Sequence, residues 1–174
     1  MVTLPNDLIL ARTRMVEEHL RRENAHDLPG IMATFGANAR YDDEPWGEHH
    51  EGRDAVQGYY ASLLAALPDL RIDVKRRLAT EDAVALEVII TGTHLGAWRG
   101  LPATGRRVEI PLSGFYAFDE DGRLASERIY YDRSSLMQQL GLYRDPQSML
   151  GRLEILLGHP LTLVRAYMRK LLGR

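Results

Sequence analysis

The sequence contains no cysteine among its 174 residues. This absence excludes disulfides, thiolate catalysis and zinc sites that use cysteine. The sequence also has no apolar run approaching the roughly 18 residues that cross a bilayer. Its first residues lack the basic region, apolar stretch and cleavage site of a secretory signal. We therefore expect no membrane span and a cytoplasmic location.

An excess of charge of either sign is also absent. The 22 lysines and arginines nearly balance the 24 acidic residues, which gives a net charge of −2. Proteins that bind nucleic acid usually have a basic face, so we expect no nucleic-acid partner. The content of 45% hydrophobic and 26% charged residues is typical of a soluble globular protein. The length suits one domain with a sizeable core.

The spacing of apolar residues predicts helices first and strands afterwards. The predicted helices span residues 7–24, 28–35 and 54–67. Alternation of apolar and polar residues predicts strands over 70–78, 83–92, 108–118 and 124–131. Helices followed by an antiparallel meander are typical of an α+β domain.

The C-terminal part is predicted to form an extension of further helices. We expect a main domain over residues 1–145 and an amphipathic helical extension over 146–174, which ends in a helix at about 160–172. Its Arg165, Arg169 and Lys170 lie opposite an apolar side. A basic amphipathic helix can lie on a membrane surface or on a partner. Packing on its own domain or on a sister subunit is the more common arrangement, and it is the one we expect.

The ends of the predicted strands carry the candidate catalytic side chains. On the last strand, Arg128, Tyr130 and Asp132 share one face with Ser126, and Asp132 lies where the strand ends. Asp132 could be a general base, or it could simply cap the next helix. His94 and Tyr116 could donate hydrogen bonds to a substrate, or could be ordinary residues at the edge of the core.

One segment is rich in side chains that bind metals, namely Glu44, Glu48, His49, His50 and Glu51. It has no established ligand spacing such as His-Glu-x-x-His. We interpret it as a solvated loop or distorted strand and expect no metal site.

Several motifs occur in a fixed order along the chain. They are Tyr41-Asp42-Asp43, Glu51-Gly52-Arg53-Asp54-Ala55-Val56, Leu67-Pro68-Asp69-Leu70, Gly92-Thr93-His94-Leu95-Gly96, Gly100-Leu101-Pro102-Ala103-Thr104-Gly105, Asp121-Gly122-Arg123-Leu124, and Tyr130-Tyr131-Asp132 before Leu136-Met137-Gln138-Gln139-Leu140-Gly141. Together they resemble the SnoaL-like polyketide cyclase family, within the nuclear transport factor 2-like superfold. The resemblance covers about Arg14 to Leu142.

The resemblance implies a cone-shaped, curved, mixed or antiparallel sheet wrapped around N-terminal helices, with a pocket inside and a homodimer built on the sheet. It implies a small hydrophobic or aromatic metabolite as substrate, with no metal or organic cofactor. Asp132 would be the general base of an aldol-type cyclisation, assisted by His94 and Tyr116. The expected substrate-binding residues are Tyr130, Arg128, Trp46, Glu44, Tyr41 and Tyr60.

Three alternatives stay open at this point. Glu44-Pro45 resembles the base and proline of ketosteroid isomerases, which have the same superfold. The protein could instead bind a hydrophobic metabolite without converting it, because a fold does not determine a function. Epoxide hydrolysis ranks last, because Arg71-Ile72-Asp73 lies on the wrong strand. Arg128 departs from the family pattern, and on the face of Asp132 it would lower the pKa of that base or bind an anionic substrate.

Overall fold

The computed structural model describes residues 5–173. Its elements are α1 (Pro5–Asn24), α2 (Leu28–Thr34), β1 (Phe35–Asp43), a 3-10 turn (Glu44–Trp46), β2 (Glu48–Glu51), α3 (Arg53–Ala66), β3 (Arg71–Ala79), β4 (Ala83–Thr93), β5 (Arg107–Phe118), β6 (Leu124–Tyr131), α4 (Arg133–Gln139), α5 (Met149–Gly158) and α6 (Pro160–Leu171). The chain separates into two compact units, with the division after Leu140. This boundary lies five residues before the predicted one.

The six strands form one mixed sheet in the order β2-β1-β6-β5-β4-β3. Strands β1 and β6 run parallel, and every other neighbouring pair is antiparallel. The predicted α+β class with a curved sheet is confirmed, but the sheet does not close into a barrel. Its two edges are β2 and β3.

Buried and exposed side chains alternate along the strands, so one face of the sheet, the inner face, packs on the N-terminal helices. Along β5, the buried positions include Val108, Ile110, Leu112 and Tyr116. Leu112 and Tyr116 join the core with residues of α1, α2 and α3, whereas Val108 and Ile110 pack in a second cluster with residues of α3 and α4. Each fully buried large side chain contributes about 1.5–3 kcal/mol. The interior also contains polar side chains, which form the candidate site.

The C-terminal unit contains two short helices, α5 and α6, and the segments that connect them. Ser148 caps α5, since its Oγ accepts from the N–H of Gly151 at 3.0 Å, and Pro160 occupies the first turn of α6. Among residues 5–173, no helix combines the length and the apolar character that crossing a bilayer requires.

Candidate active site

The carboxylate of Glu127 is the centre of a buried polar network on the inner face of the sheet. Its residue is 4% exposed, and its neighbours in register are Tyr41 on β1 and Tyr116 on β5. Glu127 Oε2 accepts from the Tyr60 hydroxyl at 2.5 Å, and Oε1 accepts from the Tyr116 hydroxyl at 3.1 Å. These two donors satisfy the hydrogen-bonding needs of a buried carboxyl group.

His19 joins this network from helix α1 and is fully buried. The hydroxyl of Thr34 donates to the Ile31 carbonyl at 2.6 Å, so it accepts from His19 Nδ1 at 2.7 Å. The other ring nitrogen, Nε2, lies 3.2 Å from Glu127 Oε2. Burial alone lowers the pKa of His19, but Glu23 and Glu127 outweigh it and leave the pKa raised. A raised pKa favours the protonated ring, whose Nε2 faces the Glu127 carboxylate.

Glu23 lies one helical turn after His19 and supplies a second interior carboxyl group. Its Oε2 is 3.6 Å from His19 Nε2 and, among the described residues, has no hydrogen-bond partner. Burial raises the pKa of Glu23 to about 8, with a smaller opposing effect from His19 and a further increase from Glu127. Burial thus favours the protonated form of Glu23, which can donate a proton or a hydrogen bond.

A small cavity adjoins the two carboxyl groups. It has a volume of about 20 Å³, which is room for roughly one water molecule. Its walls combine the polar residues Glu23, Tyr41, Tyr116 and Glu127 with the apolar residues Leu20, Leu63, Leu70, Ile72, Val88, Ile90, Leu112 and Ile129. The carboxylate of Glu127, the carboxylic acid of Glu23 and two tyrosine residues therefore line the same small cavity.

A second polar cluster surrounds Asp43, which is also fully buried. Asp43 Oδ2 accepts from Tyr59 at 3.2 Å, from Arg99 at 2.6 Å and from Tyr131 at 3.4 Å. Burial raises the pKa of Asp43, although the charge of Arg99 opposes this increase. The Tyr131 hydroxyl in turn accepts from Trp46 Nε1 at 2.6 Å. The stacked rings of Tyr41 and Tyr59, 4.1 Å apart, link this cluster to the Glu127 network.

The outer face of the sheet holds a third buried carboxylate, that of Asp42. It accepts from Arg40, His49 and Arg128, and these hydrogen bonds outweigh burial and lower its pKa. Arg128 also lies 3.2 Å from Glu44, so both predicted substrate-binding residues form ion pairs on the outer face. Arg128 lies on the outer face because the inner face of β6 carries residues 127, 129 and 131. Substrate binding by Arg128 and Glu44 stays a prediction.

Asp132 is exposed and lies at the N-terminus of α4. Its Oδ1 accepts from the N–H of Ser134 at 2.8 Å, which is the interaction of a helix cap. The predicted position of Asp132 in an enclosed chamber is therefore wrong.

His94 lies away from the Glu127 network, although it is buried as predicted. Its Nδ1 accepts from the N–H of Thr104 at 3.3 Å and lies 3.1 Å from the Thr104 hydroxyl. Burial lowers the pKa of His94 and favours the neutral ring. His94 thus anchors the loop between β4 and β5.

Tyr130 is 45% exposed on the outer face of the sheet. It borders an open concavity of about 650 Å³ with Phe115, Ser126 and Arg128. This concavity contains no carboxylate. It lies on the face where the resemblance implies a dimer contact, and the dimer stays a prediction.

The structure brings together three of the residues predicted from sequence, Tyr41, Tyr60 and Tyr116. Trp46 lies in the neighbouring Asp43 cluster. Sequence reasoning missed Glu127 and the pair His19 and Glu23. A signal for the pair was present, since His19 interrupts the apolar stripe of α1 and Glu23 follows four residues later on the same face.

Two groups of side chains have the composition of a metal site. His19, Glu23 and Glu127 form one group, and Asp42, Glu44 and His49 form the other, which partly overlaps the predicted solvated segment. All three members of the first group are buried. In the second, arginine side chains occupy the position of a cation beside Asp42.

The fold places the protein among those with a ketosteroid isomerase-like fold. A protein with this fold from Catenulispora acidiphila DSM 44928, solved in complex with trimethylamine, superposes with a TM-score of 0.63 at 20% identity, over 74% of this chain and 92% of its own. A proposed SnoaL-like polyketide cyclase from Jannaschia sp. CCS1 gives a TM-score of 0.72 at 18% identity, over 83% and 99%.

The sequence shows the family to which the chain belongs. The family model of the SnoaL-like polyketide cyclases matches residues 11–140, so the chain belongs to this family. AclR of Streptomyces galilaeus, a proposed hydroxylase, is 28% identical and has a TM-score of 0.68, over 78% of this chain and 99% of its own. A comparison with curated proteins found no match. The match ends where the C-terminal unit begins.

Proposed function

We propose that this protein is an acid–base enzyme that acts on a small, mostly apolar carbonyl compound, as in an aldol-type ring closure, without a metal or organic cofactor. The observation that carries this proposal is the pairing of Glu127 with Glu23 at one enclosed cavity. Glu127 would remove a proton next to a carbonyl group. Glu23 would stabilise the resulting enolate oxygen with a hydrogen bond.

The atoms available for each role differ. Glu127 Oε2 is occupied by Tyr60 and His19, whereas Oε1 accepts only from Tyr116. Oε1 therefore keeps a lone pair for the substrate proton. Glu23 Oε2 lacks a partner among the described residues and lines the same cavity, so its proton can point at a substrate oxygen. His19 and Tyr60 would hold Glu127 in place as positioning residues.

The cavity walls support an apolar substrate, and family membership supports a polyketide-like one. Because the cavity holds only about one water molecule, side chains must move when a substrate binds. Leu63, Ile72 and Ile90 line it and are only half-buried, so we expect the opening beside them.

The test is exchange of α-protons for deuterium in a panel of β-keto esters and aromatic β-diketones, followed by NMR in D₂O. Wild-type protein should accelerate exchange for at least one compound. Glu127→Gln should lower that rate by about 100-fold or more. The matched control is Asp42→Asn, which alters an equally buried carboxylate on the outer face and should retain the rate.

Two results would overturn the proposal. Exchange that Glu127→Gln leaves unchanged would remove Glu127 from the chemistry. A compound that binds to wild-type protein, as measured by calorimetry, but never exchanges would favour the binding-protein alternative. Thermal unfolding of each variant verifies that the loss of rate is not a loss of fold.

A further inference from the structure

The charge of the chain is divided unequally between its two units. Residues 141–174 contain six arginines and lysines and two acidic residues, a net charge of +4, whereas residues 1–140 have −6. Within the described part of the C-terminal unit, α6 has no acidic residue. A segment of this charge is attracted to an anionic surface.

The same unit has a large exposed apolar surface. Eleven large hydrophobic side chains of α5 and α6, with the residue after α6, are between 49% and 88% exposed. They are Met149, Leu150, Leu153, Leu156, Leu157, Leu161, Val164, Tyr167, Met168, Leu171 and Leu172. Soluble proteins rarely expose so many apolar side chains in one segment without a binding role.

The arrangement of side chains around α6 identifies the kind of surface that fits it. At about 100° per residue, Leu161, Val164 and Leu171 lie on one apolar side. Arg165 and Lys170 flank that side on its two borders. Long cationic side chains in this position can reach lipid headgroups while the apolar side enters the acyl region.

We propose that the C-terminal unit docks on an anionic lipid surface, with α6 lying in the plane of the interface. The proposal does not depend on the acid–base function of the other unit. A second copy of the chain fits α6 less well, because two such helices would bring like charges together.

The experiment is flotation of the full chain with vesicles of phosphatidylcholine containing 30% phosphatidylglycerol, compared with vesicles of phosphatidylcholine alone. We expect flotation with the anionic vesicles only, and weaker flotation in 0.5 M salt. The double variant Arg165→Glu/Lys170→Glu should weaken binding by about 30-fold or more, since each cation near the surface contributes roughly fivefold and the new glutamates are repelled.

The matched control is Lys75→Glu/Arg76→Glu, which changes the charge equally on exposed positions of β3 and should float like wild type. A second variant, Leu161→Ser/Leu171→Ser, keeps every charge and should also lose binding. Absence of flotation by wild type, or equal flotation by both charge variants, would overturn the proposal. If wild type self-associates in analytical ultracentrifugation but does not bind vesicles, and the serine variant no longer self-associates, the apolar side is a contact with a second copy instead.

Discussion

Glu127 and Asp42 are both buried and lie on neighbouring strands, yet they have opposite environments. On the inner face, Glu127 is held by tyrosine hydroxyls and a histidine beside a cavity. On the outer face, Asp42 is held by two half-exposed arginines and His49. Burial alone therefore does not identify the carboxylate that we propose as the base. The side chains that bind Glu127 and the cavity beside it distinguish it from Asp42.

The largest expected difference between the two carboxylates is in stability. Glu127→Ala removes the acceptor of two buried tyrosine hydroxyls and the carboxylate beside His19, which should cost about 3–5 kcal/mol in the free energy of unfolding. Asp42→Ala leaves side chains that can return to water, so we expect a loss of about 1–2 kcal/mol. Urea unfolding of both variants measures the difference, and equal losses would contradict this account.

The second prediction concerns the pH dependence of stability. The folded protein holds the Glu23 proton up to about pH 8, whereas the unfolded chain releases it near the ordinary value of 4.5. A raised folded-state pKa means that stability falls as pH rises between these values, by at most about 1.4 kcal/mol per pH unit. Glu23→Gln should remove this contribution.

The window from pH 5 to pH 6 separates the contribution of Glu23 from that of His19. His19 also has a raised pKa, so its stabilisation is complete at low pH and is lost as pH rises through that value. Its contribution therefore begins to change near its ordinary pKa of 6.5, above the window. Unfolding free energies of wild type and Glu23→Gln should diverge between pH 5 and 6. Parallel curves would mean that Glu23 is already ionised in the folded protein.

A smaller effect is expected for Tyr116→Phe, which removes one hydrogen bond to Glu127 Oε1. Stability should fall by about 1 kcal/mol. The α-proton exchange rate should change as well, because this hydroxyl tunes the proposed base. The Tyr130→Phe variant, on the outer face, is the control and should retain both properties. An unchanged exchange rate in Tyr116→Phe would remove Tyr116 from the site.

The smallest effects are expected at Asp132. Asp132→Ala should lower the free energy of unfolding by about 1 kcal/mol through the lost cap, and Asp132→Asn should be nearly neutral because asparagine also caps helices well. Neither variant should change the exchange rate. If Asp132→Asn abolished exchange while preserving the fold, the earlier prediction of Asp132 as the base would regain its support.

The sequence predicted the fold well because the periodicity of apolar residues is strong. Strand β6 was predicted with its observed limits, and β5 and α1 within two residues. Strand β1 was not predicted, because its acidic end is typical of a loop. The helix predicted from residue 54 begins at Arg53, and Gly52 occupies its N-cap with φ +86, which glycine adopts without steric cost.

The site was predicted less well for a physical reason. Alternation along β6 shows which side chains share a face, but not which face is inside. Both faces carry a tyrosine, at Tyr130 and Tyr131, and the acidic Glu127 lies on the same face as Ile129, which obscured that this face is the inner one. The charge network depends on contacts between α1, α3 and β6, far apart in sequence. Those contacts exist only in the folded protein.

The central claim is that Glu23 is a neutral acid beside the charged Glu127. Its most direct test is a pH titration of protein labelled with ¹³C at the glutamate carboxyl carbons, with Glu23→Gln used to assign the signal. We predict that the Glu23 signal titrates near pH 8, and that Glu127→Gln moves this midpoint downward because the repelling charge is gone. A Glu23 signal that titrates near pH 4.5, unaffected by Glu127→Gln, would contradict the claim.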